Sequence, residues 1–205
     1  CNTPIYLAVE SRNVDLVRAL LGARAKTDVP NVAGVFPLAQ AMNNGDVEII
    51  GALLASGTSP NVCDNDGTSL LMQAVAKNDV GVTQTLLGAG ADPNLANRAT
   101  NTPLLVAANG GNTELVSVLI QHGAAVDLAS SRGTTALHIA CRQGNMQLTR
   151  VLLDARANPN AKDASKNSPL SFAVSQGSED IVRALVACKA RPDDAGESGK
   201  PPLVD

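Results

Sequence analysis

Histidine is the side chain that most often acts as a general acid or base near neutral pH, and this 205-residue chain has two. The helical pattern places His122 in the last turn of a helix, where a partly charged imidazole suits the helix dipole. Neither His122 nor His138 is placed beside a nucleophile. We therefore expect no catalytic residue and no enzymatic activity.

Two further segments have side chains that could bind a metal ion or a phosphate. Cys63, Asp64 and Asp66 lie close together, but a polar turn explains this cluster. Residues 196–201 faintly resemble a phosphate-binding loop, yet the spacing is wrong and no Ser or Thr follows Lys200. The sequence predicts neither a metal site nor a cofactor.

The cysteines suggest the compartment in which the chain works. Cys1, Cys63, Cys141 and Cys188 are separated by 62, 78 and 47 residues and form no C-x-x-C pair. Thiols spread in this way favour a reducing, intracellular location, cytoplasmic or nuclear. Cys141 occupies a helix position that valine or alanine takes in other parts of the chain, which predicts a small buried side chain. No apolar run approaches the roughly 18 residues of a membrane span.

The element that positions all these side chains is an internal repeat of 33 residues. Leu20-Leu21 recurs at this spacing as Leu53-Leu54, Leu86-Leu87, Leu119-Ile120, Leu152-Leu153 and Leu185-Val186. An alanine column recurs in the same register at Ala8, Ala41, Ala74, Ala107, Ala140 and Ala173. We number the copies as repeats one to six, at about 2–34, 35–67, 68–100, 101–133, 134–166 and 167–199. They predict one array over residues 1–205, in which 200–205 begin a truncated seventh copy.

Each copy contains two helix-start signals. The first is a hydroxyl side chain able to cap the helix, often followed by proline, as in Thr3-Pro4 and Thr102-Pro103; Phe36-Pro37 lacks the cap. The second is a column of capping residues: Asn13, Asp46, Asp79, Asn112, Asn145 and Ser178. The helix that follows has an apolar stripe, as in Leu16, Val17, Leu20 and Leu21, interrupted only by Thr83 and Thr149.

Turn signals follow the second helix of each copy. Gly57, Gly90 and Gly123 stand where a left-handed residue would end the helix, and Arg24, Arg156 and Lys189 replace them elsewhere. Two polar columns come next, and we expect their side chains to close turns by bonding their own backbone. These are Asp28, Asn61, Asn94, Asp127, Asn160 and Asp193, then Asn31, Asp64, Asn97, Ser130 and Asp163, with Gly34, Gly67 and Gly133 close behind.

This arrangement resembles the ankyrin repeat family, most clearly at residues 86–94 and 135–140 (Thr-Ala-Leu-His-Ile-Ala). The resemblance implies an all-α solenoid of stacked helix-turn-helix units from which β-turn fingers project. It implies that His138 ties a turn together through hydrogen bonds. It also makes Asn94 similar to the asparagine that hydroxylases modify in this family.

The ends of a stacked array expose an apolar face unless they are modified as caps. Repeat one keeps Ile5, Leu7, Leu16 and Leu20 without such a modification. We therefore expect that the native protein continues beyond Asp205 and before Cys1, unless Pro201-Pro202 ends the array.

In ankyrin arrays the partner usually lies along the concave face, against finger tips and the exposed ends of the first helices. At those positions this sequence varies from copy to copy, as solvated surface also does. The candidate partner-binding residues are Asn65, Asp66, Lys77, Arg98, Asn101, Asn109, Arg132, Arg142, Gln143, Asn167 and Gln176.

Charge is distributed unevenly along the array. Residues 35–100 carry two bases against six acids, and residues 134–192 carry eight bases against four acids. Such polarity would orient an oppositely polarised partner. Nucleic-acid binding through Arg132, Arg142, Lys162 and Lys166 is disfavoured, because the net charge is -3 and the region lacks stacking aromatics.

The sequence thus predicts a non-catalytic scaffold that binds a protein or peptide, and we expect a monomer. The alternative is a regulatory or substrate-recruiting region of a larger enzyme or channel. A spacer without a partner is a further possibility.

Overall fold

A computed structural model describes residues 2–192 of the chain. This part folds as six consecutive pairs of antiparallel helices, so the predicted all-α helical solenoid is confirmed. The helices are α1 (Pro4–Glu10), α2 (Val14–Gly22), α3 (Pro37–Asn44), α4 (Val47–Ala55), α5 (Leu70–Ala76), α6 (Val80–Gly88), α7 (Pro103–Asn109), α8 (Thr113–Gln121), α9 (Ala136–Arg142), α10 (Met146–Asp154), α11 (Pro169–Ser175) and α12 (Glu179–Ala187). Residues 193–205, which include Asp193 and the expected seventh copy at 200–205, lie outside the described residues, as does Cys1.

Neighbouring helix pairs stack in chain order. Each first helix packs on its own second helix, and α1 packs on α3, α5 on α7, α7 on α9 and α9 on α11, whereas α3 has no comparable contact with α5. Among the described residues the only β contact is an isolated antiparallel bridge between Cys63 and Ser69, at the base of one finger. The structure therefore consists of local and nearest-neighbour contacts, as expected of a solenoid.

The first helices begin where the hydroxyl column predicts. Thr3, Ser69, Thr102, Thr135 and Ser168 each accept a hydrogen bond from the backbone N–H three residues later. Phe36 makes no such bond, as its side chain requires. These caps satisfy N–H groups that the helix itself leaves free.

The second capping column is confirmed in four copies and wrong in two. Asn13, Asp79, Asn112 and Asn145 cap their helices. The Asp46 carboxylate makes no cap bond; its Oδ2 lies 3.2 Å from Nε of Arg12 in the preceding repeat, although that oxygen accepts no hydrogen bond from the described residues. Ser178 also makes none, and its ψ of 80° matches the 81° of Asp46, below the 92–99° of the four capped positions.

The left-handed residues that end the second helices occur as predicted. Gly57, Gly90 and Gly123 have φ between 86° and 92°, and the replacements Arg24, Arg156 and Lys189 have φ between 57° and 68°. The three charged residues therefore adopt the glycine conformation, at a cost on the order of 1 kcal/mol each.

The core is a continuous layer of aliphatic side chains between the helices. Thr83 and Thr149 are fully buried within it, and their hydroxyls donate to the carbonyls of Asp79 and Asn145 at 2.7 and 2.8 Å. At repeat one, whose outer side no described repeat covers, Leu7 is 50% exposed and Leu16 is 47% exposed. The apolar end face expected from the sequence is therefore present.

Candidate protein-binding surface

The fingers are tight turns closed by a side chain at their first residue. We define them as residues 31–35, 64–68, 97–101, 130–134 and 163–167. The Asp64 carboxylate accepts from the N–H groups of Asp66 and Thr68, both at 2.9 Å, and Asp163 does the same for Ser165 and Asn167 at 2.9 and 2.8 Å. The prediction that this column closes its own turn is confirmed.

The polar column that contains Asn61 and Asn94 does not close its own turns, as the sequence predicts it would. Asn61, Asn94, Asp127 and Asn160 accept from backbone N–H groups of the next repeat, those of Asp92, Ala125, Asn158 and Arg191, at 2.8–2.9 Å. Stacking brings the following loop within reach, so these side chains link repeats instead of closing their own turns. The Asn94 amide also donates to the Gly123 carbonyl at 3.1 Å, so both ends of this side chain are engaged.

Adjacent fingers are joined through their backbones. The Arg98 N–H donates to the Asp66 carbonyl at 2.9 Å, and the Ala164 N–H donates to the Arg132 carbonyl at 2.8 Å. The N–H of Ser131 donates to the Thr100 hydroxyl. These bonds fix the four fingers from 64–68 to 163–167 as one connected edge.

Four of the candidate residues line one pocket of about 170 Å³ between α7, α9 and the finger 130–134. Leu105 and Ile139 line it but are almost fully buried, and Asn101, Asn109, Arg132 and Arg142 supply hydrogen-bond donors. Neither guanidinium forms an ion pair within residues 2–192. We call this the basic pocket.

A second pocket, of about 150 Å³, lies between α3 and α5. Val35, Phe36, Ala39, Val62 and Leu70 give it aliphatic and aromatic walls, and Asp64 also lines it. We call this the apolar pocket. Val35, Ala39 and Asn43 line it at the positions that Asn101, Leu105 and Asn109 take in the basic pocket, two periods of 33 residues later.

The remaining candidate residues lie beside these pockets. Lys77 donates to the Asn43 amide oxygen at 3.2 Å, and Gln143 donates to the Asn109 carbonyl at 2.9 Å. Asn65, Asp66, Arg98 and Gln176 are exposed. Asn167 is half-buried, and its carbonyl lies 3.2 Å from the His138 ring. Of the residues considered for nucleic acid, Lys162 and Lys166 are exposed in or beside the last finger, outside the basic pocket.

His138 has the structural role that the sequence implies. Its Nδ1 accepts from the Thr135 N–H at 3.1 Å, and its Nε2 donates to the carbonyls of Ala161 and Asn167 at 3.1 and 3.2 Å. Burial lowers the pKa of His138, although the two carbonyls and Asp163 act in the opposite direction. The ring is therefore held neutral and ties the last finger to α9.

Cys141 is fully buried, as predicted. Burial raises the pKa of its thiol to about 12, and a hydrogen bond with Thr149 opposes this only in part. Such a thiol is a poor nucleophile.

The sequence did not indicate a further pocket of about 590 Å³ at the C-terminal ends of α5 and α7. Val75, Val106 and Leu115 line it together with Asn78 and Asn112. It lies beside the turns between the two helices of repeats three and four, where Asn78 and Gly111 have positive φ. The left-handed conformation of this turn could have been predicted from the glycines that recur there, which are Gly45, Gly111, Gly144 and Gly177.

Residues 2–192 contain no group of three His, Cys, Asp or Glu side chains arranged to hold a metal ion. None of the helices described is long and apolar enough to span a membrane.

Comparisons with known proteins agree with this geometry. A family model for ankyrin repeats, three copies in length, matches residues 5–97 and again residues 71–163. The crystal structure of the ankyrin repeat domain of Bcl-3, "a unique member of the IkappaB protein family", is 26% identical, with a TM-score of 0.86 over 98% of this chain and 92% of that one. An ankyrin repeat domain from Acinetobacter baumannii AYE is 28% identical, with a TM-score of 0.85 over 92% of this chain and 98% of that one. A search of curated proteins found no match.

Proposed function

Since this chain belongs to the ankyrin repeat family, we propose that it is a non-catalytic scaffold that binds a protein or peptide partner along its fingers and first helices. Ankyrin repeats are generally protein–protein interaction modules and are typically non-catalytic. The proposal is specific in placing the partner on the surface that contains the basic and apolar pockets.

One observation carries this placement. The two pockets occupy equivalent positions in the array but differ in their side chains. Where the basic pocket has Asn101 and Ser130, the apolar pocket has Val35 and Asp64. The buried columns beneath them are alike, since Leu53 and Leu119 are both fully buried at matching positions. A surface that varies above a constant framework is where partner specificity can be encoded.

The same proposal includes a monomer that acts inside the cell. The wide spacing of Cys63, Cys141 and Cys188, with no C-x-x-C pair, supports a reducing environment.

Affinity capture with two matched triple variants tests the placement. Asn65→Glu/Asn109→Glu/Gln176→Glu changes exposed residues of the finger and first-helix surface. Gln84→Glu/Gln121→Glu/Gln147→Glu makes the same charge change at exposed positions of the second helices. We expect the first variant to lose at least about tenfold of the captured partner, because three added carboxylates would lie in the contact surface. Retention by both variants, or equal loss in both, would contradict the placement.

A further inference from the structure

Building on that proposed function, we infer that the partner presents an extended peptide segment whose aliphatic side chain enters the apolar pocket and whose glutamate side chain enters the basic pocket. The two side chains are about six residues apart.

The basic pocket has the chemistry that a glutamate side chain needs. Leu105 and Ile139 line the pocket but are only 1% and 2% exposed, so the guanidiniums of Arg132 and Arg142, which can bond the carboxylate, supply the main contact. No acidic side chain is among the residues that line this pocket. Because neither arginine forms an ion pair within residues 2–192, a carboxylate would not have to displace an acid of this part of the chain.

The apolar pocket favours an aliphatic side chain of the peptide. Val35, Phe36 and Val62 form part of its wall, and all three are only half-buried, so an aliphatic side chain would remove them from water. Asp64 also lines this pocket and would repel a second carboxylate. The two equivalent pockets therefore require different side chains from one peptide.

The arginine side chains are attached to a firmly held backbone. The Arg132 carbonyl accepts from the N–H of Ala164 at 2.8 Å, and Arg142 is the last residue of α9, after which Gln143 donates to the Asn109 carbonyl. A framework already fixed in this way loses less entropy when a ligand binds.

The distance between the pockets sets the length of the segment. They are two repeats apart, and packed helices are about 8–10 Å apart, so the pockets are separated by about 16–20 Å. An extended chain advances about 3.3 Å per residue, which gives about five or six residues. An even offset of about six places both side chains on the same side of the peptide.

The charge distribution favours a peptide over a nucleic acid. A polyanion bound at Arg132 and Arg142 would meet Asp64 and Asp66 about two repeats away, in a region that carries six acids and two bases. Among the described aromatics, Tyr6 is buried, and Phe36 and Phe172 are half-buried. These rings are therefore poorly placed to stack on nucleic-acid bases.

The probe is a synthetic peptide with Glu at both ends, Leu at its centre and spacers of about five Gly or Ser residues, so that either chain direction fits. Its affinity for the complete chain is measured by fluorescence polarisation. We expect replacement of both Glu by Gln to weaken binding about tenfold, because charge-assisted hydrogen bonds are lost. Replacement of Leu by Ser should weaken it by a similar factor.

Two matched protein variants locate the effect. Arg132→Gln/Arg142→Gln should reduce the affinity for the Glu peptide about tenfold and leave that for the Gln peptide unchanged. Arg150→Gln/Arg191→Gln removes the same charge at exposed positions away from the pocket and should change affinity less than about twofold. Far-UV circular dichroism confirms that both variants are folded.

Several results would overturn the inference. One is that a peptide with Lys in place of Glu binds as tightly as the Glu peptide. Another is that both protein variants lose the same affinity for the Glu peptide. A third is that oligothymidylate binds more tightly than the peptide and that its binding depends on Arg132 and Arg142. If these arginines prove irrelevant while the Asn65, Asn109 and Gln176 variant still loses its cellular partner, only this inference fails and the proposed function stands.

Discussion

The basic and apolar pockets are the same site built twice with different side chains. Their framework positions match, including Leu105 for Ala39 and Asn109 for Asn43, two periods apart. Above that framework one pocket has Arg132 and Arg142, and the other has Phe36 and Asp64. Stacking differs between the two sites, since α7 packs on α9 and α3 has no comparable contact with α5, and the side chains that stacking does not bury determine what each can bind.

The largest expected effect tests whether the framework is equivalent in the two halves. Leu53→Ala and Leu119→Ala truncate fully buried leucines at matching positions, below the apolar and the basic half of the array. Each should lower the free energy of unfolding by about 2–5 kcal/mol, measured by urea denaturation. Leu20→Ala, at the same position in repeat one, is the control: Leu20 is only half-buried, so the loss should be smaller. A loss below about 1 kcal/mol at Leu53 or Leu119 would break the equivalence.

Thiol reactivity distinguishes the pocket surface from the layer beneath it. Cys63 lines the apolar pocket and is exposed, whereas Cys141 is fully buried in α9. Burial raises the pKa of both thiols, that of Cys141 to about 12. In a Cys1→Ser/Cys188→Ser background, iodoacetamide at neutral pH should alkylate Cys63 on the order of a hundredfold faster. Comparable rates in the native protein, followed by mass spectrometry, would contradict the burial of Cys141.

Two finger glycines test whether the fingers beside the two pockets are equally tightly packed. Gly67 and Gly133 have φ of 75° and 70°. A Cβ at Gly133 would lie 3.0 Å from the Asp163 Cα, whereas at Gly67 the closest atom, the Arg98 nitrogen, is 3.4 Å away. We expect Gly67→Ala to cost about 1 kcal/mol and Gly133→Ala about 2 kcal/mol in thermal unfolding.

The same column provides the control for that pair. Thr100 and Lys166 have φ of 59° and 62° at the equivalent position, so the left-handed conformation accepts a side chain where space allows. Equal costs at the two glycines would show that the finger next to the basic pocket is no more tightly packed than its counterpart.

The smallest effect concerns pH, because His138 lies under the basic half while Met72 and Leu105 take its position in repeats three and four. Burial lowers the pKa of His138 in the folded chain, and the unfolded chain binds the proton near pH 6.5. The stabilisation is therefore complete above about pH 6.5 and is lost as the pH falls from there towards the lowered pKa. His138→Leu should have a shallower pH dependence of unfolding below about pH 6.5. An unchanged slope would show that another group is responsible.

Sequence reasoning predicted the parts of the fold that depend on one residue and its own backbone. The hydroxyl caps at Thr3 and Thr102, and the left-handed Arg24 and Lys189, are of this kind. It could not predict the ion pair of Asp46 with Arg12, because that contact depends on a side chain in another repeat.

The same reasoning explains the partial success at the candidate surface. Arg132 and Arg142 were identified as variable, exposed positions, but the pocket that unites them with Leu105 depends on packing between repeats. Asn61 and Asn94 were assigned to their own turns, because the backbone of the next repeat, which they bond, is 31 residues away in sequence.

The placement of the partner is tested most directly by hydrogen–deuterium exchange of the native chain with and without its captured partner. Slower exchange is predicted for the backbone amides of the fingers at 97–101 and 130–134 and for the ends of α7 and α9, with α8 and α10 unchanged. Protection confined to the second helices would contradict the account.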